Sequence, residues 1–345
     1  MISKATVVGA GAMGTCIAQV LASNAIRVSL LTGPQRASEL LVSRTNQRYL
    51  PGVRLSDRVT PTADPRAAFL QTELVFSAVP TQHLRTTWTP LVTELPADPP
   101  VCSCTKGIEV ESLLRPSEVL AAVGIRNRLA ILSGPSVAPE MGRCLPTTVV
   151  VAGVDAVAVD GLQTALSTSW FRVYTSSDPL GVELAGAVKN VIALAAGILD
   201  GLRAGDNAKA ALVTRGLVEM TRLGVALGAR AETFTGLAGI GDLVTTCVSP
   251  VGRNRAAGEQ IGRGVPLAVV LAQTHSVIEG VPTTRAVLKL AERCGVEMPI
   301  TQAVADVLFG GVAPLDAITR LMTRPPRAES NVAPTSSPSS GEARS

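Results

Sequence analysis

Short apolar and β-branched runs alternate with helical stretches in the first half of the chain. This alternation is typical of βαβ units, so it predicts a Rossmann-like, mostly parallel sheet with helices on its faces. The predicted strands are 5–8, 27–31, 74–78, 101–103, 129–132, 148–152 and 171–174, and the predicted helices include 15–23, 36–46, 82–92 and 112–123.

The pattern changes near residue 179, where long segments rich in Ala, Leu, Val and Gly replace the strand-like runs. Apolar residues recur there at helical spacing, which predicts an all-α half. We therefore expect an α/β fold with a Rossmann-like domain at 1–178 and an all-helical domain at 179–323. A glycine-rich stretch, 236–243, is predicted to be a loop. The predicted helices are 181–202, 208–227, 256–263, 267–272, 281–294 and 300–308.

Three further segments bear on organisation and location. Residues 324–345 are rich in Pro and Ser and carry few apolar groups, so we predict a disordered tail. The most apolar window, 184–199, is short and contains Lys189 and Asn190, which favours a buried core helix over a membrane span. No signal-peptide pattern precedes the first strand, so we expect a cytoplasmic protein.

Composition narrows the function classes. Lys and Arg number 31 against 27 Asp and Glu, a formal charge of +4, which does not indicate nucleic-acid binding. The six cysteines form no Cys-x-x-Cys, and only His83 and His275 are present, so we expect neither a metal site, nor a disulfide framework, nor a Ser-His-Asp triad. With only five lysines in the chain, a lysine inside an apolar segment stands out.

Gly9, Gly11 and Gly14 form a Gly-x-Gly-x-x-Gly motif between the first strand and the first helix. In a dinucleotide site the first glycine makes the turn, the second admits the pyrophosphate and the third lets helix and strand pack closely. The helix N-terminus offers free N–H groups to phosphate. A Rossmann-like fold that binds no nucleotide remains the alternative.

The second strand does not end with the acid that would bind the ribose 2′-hydroxyl of NAD. Thr32, Gln35 and Arg36 follow it instead and can accommodate the 2′-phosphate of NADP. The sequence equally allows Arg36 to be an exposed residue in the first turn of a helix. We expect both NADP and NAD to be used, with NADPH at least as good as NADH.

Polar clusters interrupt the apolar pattern at five places. Lys189 and Asn190 lie in an almost wholly apolar helix, where burial lowers the pKa of a lysine and makes it usable as a general base. The alternative is a lysine whose amine reaches the surface. The other clusters lie at 104–109, at 133–140, at 241–243 with 250–255, and at 277–280, and each has a bland alternative as a solvated loop, turn or helix start.

Together these clusters resemble the bacterial-type NAD(P)-dependent glycerol-3-phosphate dehydrogenases. The matches run in order from residue 4 to about 322. Gly-Ala-Val-Lys-Asn, with Gly-Asp-Leu and Arg-Asn-Arg downstream, is the most specific combination. The resemblance implies reversible reduction of dihydroxyacetone phosphate to sn-glycerol 3-phosphate by NAD(P)H, in the supply of glycerophospholipids.

The resemblance also implies residue roles. It makes Lys189 the catalytic base. The implied substrate contacts are Lys106, Gly134, Ser136, Lys189, Asp242, Arg253 and Asn254. The cofactor contacts, from the glycine motif and the resemblance together, are Gly9, Gly11, Ala12, Met13, Gly14, Tyr49, Lys106, Ala138, Arg253, Val277 and Glu279.

The chain departs from the family pattern at several positions. Ala12 and Met13 replace a serine and a large aromatic residue, Gly252 replaces a serine, and Gly33 and Pro34 replace polar residues. These changes bear on cofactor preference and on one substrate hydrogen bond. The alternatives are a ketopantoate-reductase-like or hydroxyacid dehydrogenase and a non-catalytic NAD(P)H sensor. The sequence does not fix the oligomeric state, and a homodimer is compatible with it.

Overall fold

The first half of the chain builds one large sheet in the computed structural model, which describes residues 2–274, 276–326 and 329. Most strand residues are buried, as expected where helices cover both faces of a sheet. The strands are Lys4–Val8 (β1), Arg27–Leu31 (β2), Thr45–Asn46 (β3), Leu50–Arg54 (β4), Val59–Thr62 (β5), Leu74–Ser77 (β6), Val101–Ser103 (β7), Leu129–Ser133 (β8), Thr147–Gly153 (β9) and Phe171–Ser176 (β10).

Eight of these strands pair in the order β10-β9-β8-β7-β6-β1-β2-β5. Every neighbouring pair is parallel except β8 and β9, and β3 pairs with β4 in a separate antiparallel hairpin. The predicted mostly parallel sheet is confirmed. Because the carboxyl ends of parallel strands share one edge, the loops after β1, β2, β6 and β7 meet there.

Helices of the first half pack on the sheet, and several begin at a proline or an acidic cap. Asp155 accepts a hydrogen bond from the N–H of Ala158 and so caps the helix that follows. The helices are Ala12–Ser23 (α1), Pro34–Ser43 (α2), Pro65–Phe69 (α3), Leu84–Trp88 (α4), Pro116–Ala122 (α5), Ala138–Met141 (α6) and Ala156–Leu166 (α7).

Three predicted helices are shorter than expected. The helix predicted at 36–46 ends at Ser43 because Arg44 adopts a left-handed conformation, with φ of 52°. The helix predicted at 82–92 is α4 flanked by two 3₁₀ turns. The helix predicted at 112–123 begins only at Pro116, which suits the first helical position because it lacks an N–H.

The second half is helical, which confirms the predicted fold class. Its helices are Pro179–Gly201 (α8), Asp206–Ala226 (α9), Ala231–Phe234 (α10), Asp242–Val248 (α11), Arg253–Gly262 (α12), Leu267–Ala272 (α13), Gly280–Arg293 (α14), Pro299–Phe309 (α15) and Pro314–Met322 (α16).

The predicted loop at 236–243 is only partly correct. Residues 237–241 form a turn that is kinked at Gly239, whose backbone is not helical (φ −88°, ψ −106°), but Asp242 already begins α11. A Cβ built on Gly239 would lie 1.9 Å from the carbonyl oxygen of Phe234. The glycine there permits close backbone packing, so the small residues compact this turn instead of loosening it.

Helix α8 is the centre of the helical half, and its residues from Gly181 to Leu199 are all buried. Its length and composition would suit a membrane span, but 94% of its apolar window is buried inside the protein, so the predicted core helix is confirmed. A Cβ on Gly197 would lie 1.9 Å from the carbonyl oxygen of Arg255, so α12 packs backbone to backbone on α8. This packing brings the N-terminus of α12 beside the polar residues of α8.

The predicted tail, 324–345, lies outside the described residues except for 324–326 and 329. Arg324 pairs with Glu297 at 3.2 Å. Arg215 Nη1 donates a hydrogen bond to the carbonyl oxygen of Glu329 at 3.5 Å. These contacts join the start of the tail to the helical half at its surface.

Candidate active site

A cleft of about 930 Å³ lies between the carboxyl edge of the sheet and the helical half. Most residues predicted to bind substrate or cofactor line it, although they come from loops and helices far apart in the chain. The predicted residues in its lining are Gly9, Gly11, Ala12, Met13, Tyr49, Lys106, Ser136, Ala138, Lys189, Asp242, Arg253, Asn254, Val277 and Glu279. Gly14 and Gly134 do not belong to this lining.

The glycine motif forms the turn between β1 and α1. Gly9 has a φ of 104°, and a Cβ there would lie 2.7 Å from the carbonyl oxygen of Ala78. A Cβ on Gly14 would lie 1.9 Å from the carbonyl oxygen of Gly9, so helix and strand need glycine to pack this closely. Apart from its two neighbours in the chain, no described residue has an atom within 4 Å of a Cβ built on Gly11. The open space above Gly11 and the N-terminus of α1 fit a pyrophosphate.

A buried carboxylate between two lysines forms the floor of the cleft. Lys189 Nζ lies 2.5 Å from Asp242 Oδ1, and Lys106 Nζ lies 2.6 Å from Asp242 Oδ2. The exposed fractions of the Lys189, Asp242 and Lys106 side chains are 6%, 3% and 16%. The Lys189 amine therefore does not reach the protein surface, and Lys106 is not a solvent-exposed loop residue. The three groups together carry one excess positive charge at a site that opens on the cleft.

Neighbouring polar groups fix the positions of both ammonium groups. Lys189 Nζ also donates to Thr246 Oγ1 at 2.6 Å, one helical turn after Asp242 on α11. Lys106 Nζ donates to the carbonyl oxygen of Gly134 at 3.0 Å and to Ser136 Oγ at 3.2 Å. Gly134, with a φ of 119°, makes the turn that directs this carbonyl to the lysine.

The pKa values of Lys189 and Asp242 are both lowered, but for different reasons. Burial lowers the pKa of Lys189 to about 8, although the Asp242 carboxylate acts to raise it. Burial acts to raise the pKa of Asp242, but Lys106 and Lys189 outweigh it and hold that pKa below its usual range. Asp242 is therefore a carboxylate at neutral pH, while Lys189 can hold or release a proton near it.

Hydrogen bonds through two asparagines connect α8, α12 and α14 to the loop that carries Lys106. Asn190 Nδ2 donates to the carbonyl oxygen of Lys106 at 3.1 Å, and Asn254 Nδ2 donates to Asn190 Oδ1 at 2.8 Å. Asn254 Oδ1 accepts from the N–H of Gly280 at 3.0 Å. Asn254 is thus a buried residue of the first turn of α12, whereas Arg253 beside it is exposed to the cleft.

Glu279 joins the helical half to the sheet half. Its Oε1 accepts a hydrogen bond from the N–H of Thr81, in the loop after β6, at 2.8 Å. Burial raises the pKa of Glu279 above its usual range, although the hydrogen bonds from Thr81 act to lower it. The nearby Val277 carbonyl accepts from Arg253 Nη1 at 3.3 Å. The segment 277–280 therefore links the arginine to the loop at the carboxyl edge of the sheet.

Two polar residues in this site had no assigned role from the sequence. The sequence marks Asn190 as an interruption of the apolar helix but does not indicate what it contacts. It gives Thr246 no distinguishing feature of its own. The signal for Thr246 is its position four residues after Asp242, which puts both on one face of a helix. That signal was hidden because the segment around Asp242 was predicted to be a loop.

A glycine turn at the carboxyl end of β1 and a buried lysine–carboxylate centre in a cleft define the fold and site of an NAD(P)-dependent dehydrogenase. Residues 4–158 match the family description "NAD-dependent glycerol-3-phosphate dehydrogenase N-terminus", and residues 178–319 match its C-terminal counterpart. The chain belongs to the NAD-dependent glycerol-3-phosphate dehydrogenase family, as the sequence motifs predicted.

Individual relatives agree with this assignment. The chain is 45% identical to a glycerol-3-phosphate dehydrogenase [NAD(P)+] of Frankia casuarinae, over 96% of this chain and 99% of that one. It is similar to the crystal structure of a glycerol-3-phosphate dehydrogenase from Coxiella burnetii, with a TM-score of 0.90, 36% identity, and coverage of 94% and 99%. A ketopantoate reductase of Ralstonia eutropha shares the fold alone, with a TM-score of 0.60 and 17% identity over 91% and 99% of the two chains.

Proposed function

We propose that the cleft catalyses the reversible reduction of dihydroxyacetone phosphate to sn-glycerol 3-phosphate with NAD(P)H. Membership in the family and the names of full-length relatives support this reaction. One observation carries the proposal at the level of residues. Two lysines share one buried carboxylate at the floor of the cleft, below the glycine turn that fits a dinucleotide.

The cationic groups of the cleft orient an anionic substrate. Arg253 presents a planar set of donors that suits a phosphate group, and it is held near Val277. Lys106 and Lys189 exceed the charge of Asp242 by one, so the floor attracts an electron-rich carbonyl oxygen. We assign Arg253 to the phosphate end of the substrate and Lys106 to polarisation of the C2 oxygen. Asn254 holds α12 against α8 and can use its remaining amide hydrogen toward substrate.

Lys189 exchanges the proton of the C2 oxygen. In the reduction, its ammonium group gives a proton to that oxygen as C2 gains a hydride; in the oxidation, the neutral amine removes it. Asp242 and Thr246 hold the amine in place during this exchange. When bound, NAD(P)H would supply the hydride. The glycine turn with Ala12, Met13, Tyr49, Ala138, Val277 and Glu279 would hold the cofactor.

The reaction is tested by the loss of NADPH and NADH fluorescence with two candidate substrates. We expect oxidation of the cofactor with dihydroxyacetone phosphate and a far lower rate with ketopantoate. Faster turnover of ketopantoate would overturn the substrate assignment. Binding of NADPH without turnover of either compound would favour a non-catalytic sensor.

We make three further proposals, on the domain division, the cellular location and the oligomeric state. We retain the division into domains at 1–178 and 179–323, since β10 ends at Ser176 and α8 begins at Pro179. We propose a cytoplasmic location, supported by the six cysteines, all free in the structure. We also propose a homodimer, whose interface would cover the exposed apolar side chains of Leu315 and Met322 on α16. Light scattering of the purified protein tests the dimer.

A further inference from the structure

We propose that Gln82, Arg85 and Glu109 are positioning residues for the reaction. They form a polar clamp between the loop after β6 and the loop after β7, residues 104–112, and this clamp holds Lys106 in the cleft. The inference rests on the proposed function, because it takes Lys106 as the group that polarises the C2 oxygen. It goes further by giving a role in turnover to three side chains that do not line the cleft.

The first half of the clamp is the amide of Gln82. The loops after β6 and β7 leave neighbouring strands at the carboxyl edge of the sheet, and the first of them runs into a 3₁₀ turn, Thr81–His83. Gln82 in this turn reaches across with both ends of its amide. Its Nε2 donates to the carbonyl oxygen of Ile108 at 2.8 Å, and its Oε1 accepts from the N–H of Val110 at 3.1 Å. One side chain thus satisfies two backbone groups of the second loop.

The other half of the clamp is an ion pair between Arg85 of α4 and Glu109. Arg85 Nε lies 3.0 Å from Glu109 Oε1, and Nη2 lies 2.7 Å from Oε2, so the pair is bidentate. Ser112 Oγ donates to the same carboxylate. The hydrogen bonds from Arg85 hold the pKa of Glu109 below its usual range, so this buried carboxyl is ionised at neutral pH. Two parallel bonds fix the orientation of the loop as well as its distance from α4.

The clamp begins two residues after Lys106, and little room for movement remains between them. A Cβ built on Gly107 would clash with Thr81 Oγ1 and would lie 2.8 Å from Glu279 Oε2. On the other side of Gly107, Ile108 is fully buried in the core of the helical half. The backbone of Lys106 therefore follows the position in which the clamp holds the loop.

This position matters because Lys106 works between the two halves of the protein. The glycine turn that fits the dinucleotide belongs to the sheet half. Asp242, whose carboxylate lies 2.6 Å from the Lys106 ammonium, belongs to α11 of the helical half. The clamp attaches the lysine loop to the sheet half, so it fixes Lys106 relative to the glycine turn while the ammonium group contacts Asp242.

Loss of the clamp should act on chemistry more than on binding. Lys106 is assigned to the C2 oxygen, whose negative charge grows in the transition state, whereas the phosphate end of the substrate is assigned to Arg253 of α12. A shift of Lys106 by about 1 Å should therefore lower kcat by about ten- to a hundredfold and change KM little.

The test compares kcat, KM for dihydroxyacetone phosphate and the melting temperature of full-chain variants. Gln82→Met and Arg85→Met each remove one half of the clamp. We expect each to lower kcat at least about tenfold, with KM within about threefold of the wild-type value. Arg85→Lys keeps the charge but loses the bidentate geometry, so its kcat should lie between those of the wild type and Arg85→Met.

Two matched controls make the same changes in the sheet half, away from the lysine loop. Gln163→Met removes an amide that donates to the carbonyl oxygen of Val173 at 2.8 Å. Arg66→Met removes the partner of Glu94, with which Arg66 pairs at 3.2 Å. Neither Gln163 nor Arg66 lines the cleft, so kcat and KM of both controls should match the wild type.

A double-mutant cycle with Lys106→Met shows whether the clamp acts through this lysine. In the Lys106→Met background, Arg85→Met should change kcat by less than about twofold, because the group that the clamp positions is gone. A clamp that acts through another residue would cost the same factor in both backgrounds, and that result would overturn the inference.

The remaining outcomes separate this inference from the proposed function. Unchanged kcat in folded Gln82→Met and Arg85→Met would overturn the inference. If Arg85→Met does not fold, Arg85→Lys and Gln82→Met decide, and unchanged kcat in both is the contradicting result. Unchanged kcat in Lys106→Met would overturn the inference and leave the reaction standing. A wild type that oxidises neither NADPH nor NADH with dihydroxyacetone phosphate would contradict the proposed function itself.

Discussion

Two buried carboxylates pair with cations at helix α8, but their surroundings differ. Glu183 belongs to α8 itself, whereas Asp242 belongs to α11 and contacts Lys189 of α8. Both oxygens of Glu183 accept from the start of α5: Arg115 Nη1 at 2.6 Å, Ser117 Oγ at 2.7 Å and the Ser117 N–H at 2.8 Å. Its side chain is completely buried and does not line the cleft. Asp242 instead receives two ammonium groups at the floor of the cleft.

The difference shows how one helix serves structure and chemistry at once. Burial raises the pKa of Glu183, although Arg115 and Ser117 act to lower it, while two lysines hold the pKa of Asp242 below its usual range. Glu183 joins the sheet half to α8 in a satisfied cluster with no excess cation. The Asp242 cluster carries a spare positive charge toward open space. Mutations in the two clusters should therefore separate stability from turnover.

The largest effect is expected from Lys189→Ala. Loss of an acid–base group should lower kcat by about 10²–10⁴-fold, while NADPH binding and the melting temperature stay close to the wild type. Lys209→Ala is the control, because Lys209 pairs with Asp200 and does not line the cleft. Steady-state kinetics, cofactor fluorescence and thermal unfolding on one preparation check this. A kcat above about a tenth of the wild-type value would remove the assignment of Lys189.

The next effect is expected at the phosphate end. Arg253→Ala should raise KM for dihydroxyacetone phosphate and cost about 2–4 kcal/mol of transition-state binding, by analogy with truncated charge pairs. Arg253→Lys should cost less, because it keeps the charge and loses the forked geometry. Arg263→Ala is the matched control, because Arg263 is the exposed residue that directly follows the same helix. An unchanged KM in Arg253→Ala would place the phosphate site elsewhere, with Lys106 the next candidate.

Glu183→Gln should affect stability more than turnover. The change leaves Arg115 without its buried anion and weakens two further hydrogen bonds, at a cost of about 1–3 kcal/mol in the free energy of unfolding. Denaturant unfolding gives that value, and kcat on the folded fraction should stay near the wild type. A loss of kcat as large as that of Lys189→Ala, without loss of stability, would contradict the contrast between the two clusters.

The smallest effect is expected from truncation after Thr323. The described part of the tail contributes one ion pair, Arg324 with Glu297, and one long hydrogen bond, from Arg215 to the carbonyl oxygen of Glu329. Exposed contacts of this kind add little to stability. The melting temperature and activity should therefore stay nearly unchanged. A drop of several degrees would mean that residues 324–345 dock on the body of the protein.

The sequence predicted the regular parts of the fold better than the irregular ones. Seven of the eight strands of the sheet follow from short apolar runs, and α8 follows from its long apolar pattern. The eighth strand, β5, was missed because its Val-Thr-Pro-Thr segment is short and contains a proline. Strand β4 was missed because its Leu-Pro-Gly-Val-Arg segment contains two residues that disfavour strands. Helix α11 was missed because three glycines precede it, and their role in close packing is visible only in the folded chain.

The candidate site shows the same limit. Lys189 stands out in the sequence because an ammonium group within an apolar helix needs a partner. The partner itself, Asp242, lies 53 residues away, and the contact of Asn190 with Asn254 spans 64 residues. No local pattern encodes such pairs, since they depend on how α11 and α12 pack on α8. The resemblance to a family named these residues, and the packing explains how they meet.

The pH dependence of kcat/KM in both reaction directions tests the central role of Lys189 most directly. A group with a pKa of about 8 should act as an acid in the reduction and as a base in the oxidation. We predict that kcat/KM for dihydroxyacetone phosphate falls as pH rises through about 8, while kcat/KM for glycerol 3-phosphate rises over the same range. Profiles that rise or fall together, or that show no ionisation in this range, would contradict the account.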